Sequence, residues 1–170
     1  MRPVFRTPPR WRLAALLGTV LLCGATIHGT AEKPEFLDVI SGRELDLTPQ
    51  PGETLTDAVL EFRASGRNRY RGDDAATEQG RRLYMARCAF CHGQEGDGSL
   101  GPPLTGPDYT YNTSSSDVGM FSIIHGGAYG AMASFARRGL QQDQILKIIA
   151  HIRSLSAGAK KATDPGNPVR

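Results

Sequence analysis

This chain of 170 residues is poor in several things at once, and each shortage removes a class of protein. It has three cysteines; one falls in an N-terminal segment with the features of a leader. A disulfide-stapled scaffold is therefore excluded once the other two are otherwise used. Its one long apolar run, Leu13 to Ala25, is shorter than the roughly 20 residues a helix needs to span a bilayer. Period-two alternation is missing, which argues against a sheet protein, and no internal repeat appears. Neither a nucleophile with a base, a paired acid and base, nor a glycine-rich phosphate loop is present. A lasting excess of positive charge is missing too. The chain has 20 Lys and Arg against 17 Asp and Glu, and four of those arginines lie in residues 1–31. The remainder carries 16 against 17, so nothing recommends nucleic acid as a partner.

Residues 1–31 read as a secretory signal peptide. Arg2, Arg6, Arg10 and Arg12 form a cationic start, the apolar run follows, and Gly29-Thr30-Ala31 offers small residues for cleavage. Leu22 precedes Cys23 where a lipoprotein signal wants a small residue, and Arg2 and Arg6 are not adjacent as a twin-arginine signal requires. The expected product is an exported, periplasmic chain of about 139 residues with no membrane span, the size of one domain.

What the chain does have is Cys88-Ala89-Phe90-Cys91-His92. C-x-x-C-H is the spacing that attaches c-type haem. Two thiols on one helical turn can each add to a vinyl group, and the next histidine falls under the ring to ligate iron. A thioredoxin-like motif needs no such histidine and sits near a βαβ pattern, and a structural zinc site wants four ligands. A second axial ligand must come from Met85, Met120, Met132, His125 or His151. Met85 sits on the helix leading into the motif, and Met120, His125 and His151 sit on predicted helices. Met132 lies in the glycine loop Gly126-Gly127-Ala128-Tyr129-Gly130-Ala131-Met132, which can carry a thioether over the ring. His125, closing a helix, reads as a surface or dipole-facing residue. An iron-bound histidine donates its other ring N–H to an acceptor, and the carbonyl of Pro102, in Gly101-Pro102-Pro103-Leu104, is the candidate. His/Met ligation raises the potential and fills both axial positions, which suits outer-sphere electron transfer rather than enzymatic chemistry.

The expected elements are helical. Thr56 to Ala64 forms a short helix with Thr54 or Thr56 as cap and Val59, Leu60 and Phe62 as anchors. Asp73 or Asp74 caps a helix from about Ala75 into the haem motif, with Ala76, Gly80, Leu83 and Tyr84 on one face. Gly80 costs about 1 kcal/mol against alanine there, so a close helix approach is expected. Gly93 to Thr113 reads as loop. Ser115 or Ser116 caps Asp117 to His125. Gln142 to Ser156 carries an isoleucine and leucine stripe and ends at Gly158. Arg63, Arg67, Arg69 and Arg71 read as a solvated linker or as a contact to haem propionates or a partner. Residues 1–31 are then the signal, 32–72 an N-terminal extension, 73–157 the haem domain and 158–170 a flexible tail.

In that order of motifs the chain resembles the class I cytochromes c, and within them the cytochrome c-L family. Asp108-Tyr109-Thr110-Tyr111, Asp117-Val118-Gly119-Met120-Phe121, the methionine loop and the leader Val39-Ile40-Ser41-Gly42-Arg43-Glu44-Leu45-Asp46 carry the likeness. The resemblance implies an all-α class I cytochrome c fold, three to four helices around one covalent haem, preceded by an extension. Cys88 and Cys91 then bind haem c, and His92 and Met132 ligate iron. The implied donor is a PQQ-dependent methanol or alcohol dehydrogenase, and the implied acceptor a downstream cytochrome c or oxidase. Two departures stand out: Ala133 where proline commonly follows the ligand methionine, and His125 where an apolar residue is expected. The competing readings are a general periplasmic donor to a terminal oxidase and a haem enzyme or gas sensor with an open iron site. Arg137 and Arg138, close after Met132, are expected to rim the haem crevice and make docking salt-sensitive.

Overall fold

The computed structural model describes residues 33–106 and 109–162, with no side-chain detail from 159 onward. The expected signal peptide of residues 1–31 lies outside that range, as do Asp108 and the end of the tail.

Among the described residues five α-helical segments follow one another: α1 (Asp57–Ser65), α2 (Asp74–Arg87), α3 (Ala89–His92), α4 (Asp117–Gly126) and α5 (Gln142–Ala162). Short 3-10 turns at Asn112–Ser115 and Ala136–Arg138 punctuate the loops. Among the described residues the only extended pairing is one antiparallel bridge, Leu37 to Glu44. The starts are set by side chains that accept orphan backbone N–H groups. Thr56 accepts from Val59, Asp73 from Ala76 and Ser116 from Gly119.

The expected helix through the haem motif is in fact broken. Cys88 leaves helical geometry at φ −123°, ending α2 and opening the one-turn α3, so the two thiols start a new axis. The last helix also departs from expectation: it runs through Gly158 to Ala162, since one exposed glycine weakens a helix without terminating it.

The core forms where α2 and α5 cross. Ala76, Gly80 and Tyr84 are buried on α2, facing the buried Ile145, Ile148, Ile149 and Ile152 of α5. A Cβ on Gly80 would overlap the carbonyl of Lys147, so glycine there lets two backbones touch. The extension adds to this core rather than trailing as a linker. Phe36, Phe62 of α1 and Phe121 of α4 form an aromatic cluster with ring centroids 5.3–5.6 Å apart. Leu60, expected as an anchor, is half exposed instead, because it falls on the outer face of α1 while Val59 and Phe62 point inward.

The extension's arginines are absorbed locally. Arg67 and Arg69 pair with Glu61, and Arg71 sits 3.8 Å from Asp117. Arg63 donates to the Leu47 carbonyl and, at 3.0 and 2.6 Å, to Gln142.

Candidate functional site: a haem cleft

A cleft opens between α3, the loop after it, α4 and the methionine loop. Its cavity measures about 160 Å³ and is lined mainly by apolar groups, among them Pro102, Leu104, Tyr109, Met120, Ile123, Ile124, Met132 and Ile152. Cys88 and His92 form one wall. Cys88 is buried, and that burial pushes its thiol up to about 12; Cys91, one turn on, is exposed.

His92 is held by a short-range lattice of backbone bonds. Its N–H donates to Cys88 O at 3.0 Å, its carbonyl accepts from Gly98, and Gly101 N–H donates to Cys91 O at 2.7 Å. The Tyr84 hydroxyl donates to Gly93 O at 2.7 Å and ties this lattice to α2. The ring is oriented by the Pro102 carbonyl, 2.8 Å from Nδ1. A carbonyl can only accept, so Nδ1 carries the proton and Nε2 keeps its lone pair for a metal. Gly101 belongs to the same seat: a Cβ there would lie 2.9 Å from His92 Cε1 and 3.0 Å from Nδ1. The sequence placed Gly101 in a turn but gave no sign that its missing side chain makes room for the imidazole.

Two methionines share the cleft. Met120 is buried on α4 and Met132 half-buried in its loop, and both line the cavity with His92. The alternatives lie elsewhere. Met85 is 39% exposed on α2. His151 packs edge-on against Tyr84 with Nε2 unpartnered. His125 is not a surface residue as expected: it is 7% exposed and stacked on Phe121 at 5.5 Å. Burial holds its basicity below the usual histidine range. The α4 helix is clasped on nearly all sides, which buries even its polar last turn.

Sequence reasoning also missed the arginine that supports the cleft wall. Arg153 of α5 is buried, and its Nε donates to Asp117 at 2.8 Å in an ion pair almost closed to solvent. Its other donors reach the Tyr109 hydroxyl at 3.0 Å and the Ser114 carbonyl at 2.8 Å, two cleft-lining residues. The only prior signal was Asp117 in the first turn of α4, which also suits the helix dipole.

Arg137 and Arg138 do not line the cleft. Arg138 stacks on the Phe135 ring at 5.5 Å, and Arg137 borders a separate hollow with Asp46 and His125. The exposed apolar groups are Tyr129, which lines the cleft, and Phe90 and Leu100, which adjoin Cys91 and Gly101 in the chain; they are 66%, 83% and 75% exposed.

A family model described as cytochrome C oxidase, cbb3-type, subunit III, matches residues 75–152. Cytochrome c-L of Methylorubrum extorquens is 35% identical over 158 residues, which is 85% of this chain and 79% of that protein. The chain belongs to the cytochrome c-L family. The crystal structure of cytochrome cL from the marine methylotroph Methylophaga aminisulfidivorans superposes with a TM-score of 0.69 at 33% identity, covering 81% of this chain and 97% of that one. Its counterpart from Hyphomicrobium denitrificans gives 0.69 at 30% identity, covering 80% and 84%. The expected all-α class I architecture therefore holds, and this cytochrome c-L family member is a mono-haem electron carrier rather than an enzyme. The cleft suits the covalent haem c of that family: it offers a thiol pair one turn apart, an imidazole with its tautomer fixed, and apolar walls.

Proposed function

We propose that this protein is a periplasmic carrier that accepts single electrons from a PQQ-dependent methanol or alcohol dehydrogenase and passes them to a downstream cytochrome c or oxidase. One observation carries the reading. The general haem-domain model stops at residues 75–152, whereas the likeness to cytochrome c-L spans 85% of the chain and so takes in the extension. A generic class I carrier has no use for that segment.

Haem, once bound, supplies a one-electron ferric/ferrous couple. Cys88 and Cys91 would anchor it as thioethers and His92 would ligate through Nε2, while the Pro102 carbonyl holds that ring by accepting from Nδ1–H. Met132 would supply a thioether sulfur as the second iron ligand. Met120 also lines the cleft, but it is fixed on a buried helix, whereas the loop around Met132 can bring its sulfur to the iron. An imidazole and a thioether held there together would leave the iron no open position for oxygen or peroxide. The dehydrogenase meets the edge of the cleft at Phe90, Leu100 and Tyr129, whose apolar faces exclude water from the contact.

The test is to mix the oxidised holoprotein with a substrate-reduced quinoprotein alcohol dehydrogenase and time the reduction of the haem. Saturable, rapid reduction that Phe90→Glu slows at least tenfold supports the reading. Reduction no faster than that of an unrelated class I cytochrome leaves only the general oxidase donor.

A further inference from the structure

The extension does more than complete the core. Residues 36–45 form a small hairpin: Leu45 N–H donates to Phe36 O at 2.8 Å and Asp38 N–H to Arg43 O at 2.8 Å. Asp38 stiffens its tip. The Ser41 N–H at 2.7 Å and the Ser41 hydroxyl at 2.8 Å both donate to its carboxylate, which holds it below the usual carboxylate range. The hairpin is anchored at both ends. Phe36 sits in the aromatic cluster, and the Leu47 carbonyl accepts from Arg63 and Gln142.

From Ile40 to Gln50 the segment touches the methionine loop, or the turn that follows it, at three separated places. At the tip of the loop the Tyr129 hydroxyl donates to Ile40 O at 3.3 Å. At its start the Leu45 side chain lies against Gly126, where a Cβ would come within 2.8 Å of it. Past the loop, where the Ala136–Arg138 turn starts, the Gln50 amide donates to the Ala136 carbonyl. The loop itself closes into a ring: Ala128 N–H donates to Met132 O at 2.8 Å, and the Ser134 hydroxyl to His125 O at 2.6 Å.

We infer that residues 38–50 are a strap that positions Met132, holding the distal loop against the cleft so that its thioether stays on the iron. This rests on Met132 being the distal ligand. Leu45, Gln50 and Tyr129 are thus positioning residues, acting through the loop rather than touching the cofactor. The loop contains three glycines and so carries a large entropy of release; fastening its start, its tip and the turn that follows it is what offsets that.

The experiment uses ferric holoprotein and reads the red charge-transfer absorption of a sulfur–iron bond as pH is raised until the methionine is displaced. Leu45→Ala combined with Gln50→Ala should lower the midpoint of that loss by about one unit, a roughly tenfold weaker hold. Tyr129→Phe, which keeps the ring and removes only an exposed hydrogen bond, should weaken it about twofold and remains informative if the double variant folds poorly. Val59→Ala, a core truncation away from the strap, should lower unfolding stability while leaving the midpoint in place. Unchanged midpoints in the strap variants, or an equal shift in Val59→Ala, overturn the strap. Met132→Ala separates the two ideas: if it keeps the absorption, the ligand reading itself fails.

Discussion

The two sides of the cleft are built by different means. On the His92 side, every group that seats the imidazole lies within about ten positions of it along the chain: Cys88, Cys91, Gly98, Gly101 and Pro102. On the Met132 side, the partners come from far away: Ile40 meets Tyr129 across 89 positions and Gln50 meets Ala136 across 86. A ligand seated by local turns is determined as soon as its loop forms. A ligand seated by a distant segment depends on the whole molecule being folded, and its hold can weaken while the rest stays intact.

The sharpest way to break this contrast is to remove each proposed ligand. His92→Ala should leave almost no normally assembled holoprotein, measured as haem per chain. Met132→Ala should keep the haem attached but let carbon monoxide bind the ferrous protein and lower its midpoint potential, read by titration. Equal loss of haem in both would erase the difference between the sides.

Next in size is the wall between them. Arg153→Leu leaves Asp117 buried without its close partner and frees Tyr109 and Ser114. Denaturant unfolding should show a loss of about 3–5 kcal/mol. The outward Arg71, 3.8 Å from Asp117 and largely exposed, cannot substitute for it. A loss below 1 kcal/mol would mean that water replaces the guanidinium at little cost.

A smaller change should sharpen the His92 side. Gly101→Ala presses a methyl group against the imidazole and loosens the Pro102 bond. A less basic ligand favours ferrous iron, so the potential should rise by about 20–60 mV, where about 59 mV is a tenfold one-electron change. A fall, or no change, would remove Gly101 from the seat.

The smallest effect is on pH. His151 is buried away from both ligands with Nε2 unpartnered; burial first, and then Arg81, hold its pKa below 6.5, with Glu95 and Glu78 opposing. The unfolded chain therefore takes up a proton there before the folded one does. Stability from this group is complete above 6.5 and declines as pH falls below it toward the folded value. His151→Phe should flatten that decline in acid unfolding curves while leaving the potential unchanged.

Legibility in the sequence follows the same divide. The haem motif, the Pro102 turn, the caps at Thr56, Asp73 and Ser116, and the close approach at Gly80 all rest on local spacing, and local spacing is what a sequence displays. The break at Cys88 was hidden because nothing in Arg87-Cys88-Ala89 opposes a helix; tertiary packing imposes it. Arg153 looked like one more polar residue on an amphipathic helix, and His125 like a helix-end surface group, because burial depends on what distant segments cover. The extension was the hardest to read. Its apolar residues are scattered, and Phe36 gains meaning only beside Phe62 and Phe121.

The contact at Gly80 also bears on the order in which the molecule can be made. It joins α2 to α5, near the two ends of the haem domain, and nearly every residue of the cleft lies in the chain between them. Closing so long a loop costs entropy before any contact inside it can repay the cost. The cleft is therefore a late product of folding. The short α3 turn with its two thiols, by contrast, needs only its own neighbours and can take shape while the rest of the chain is still open.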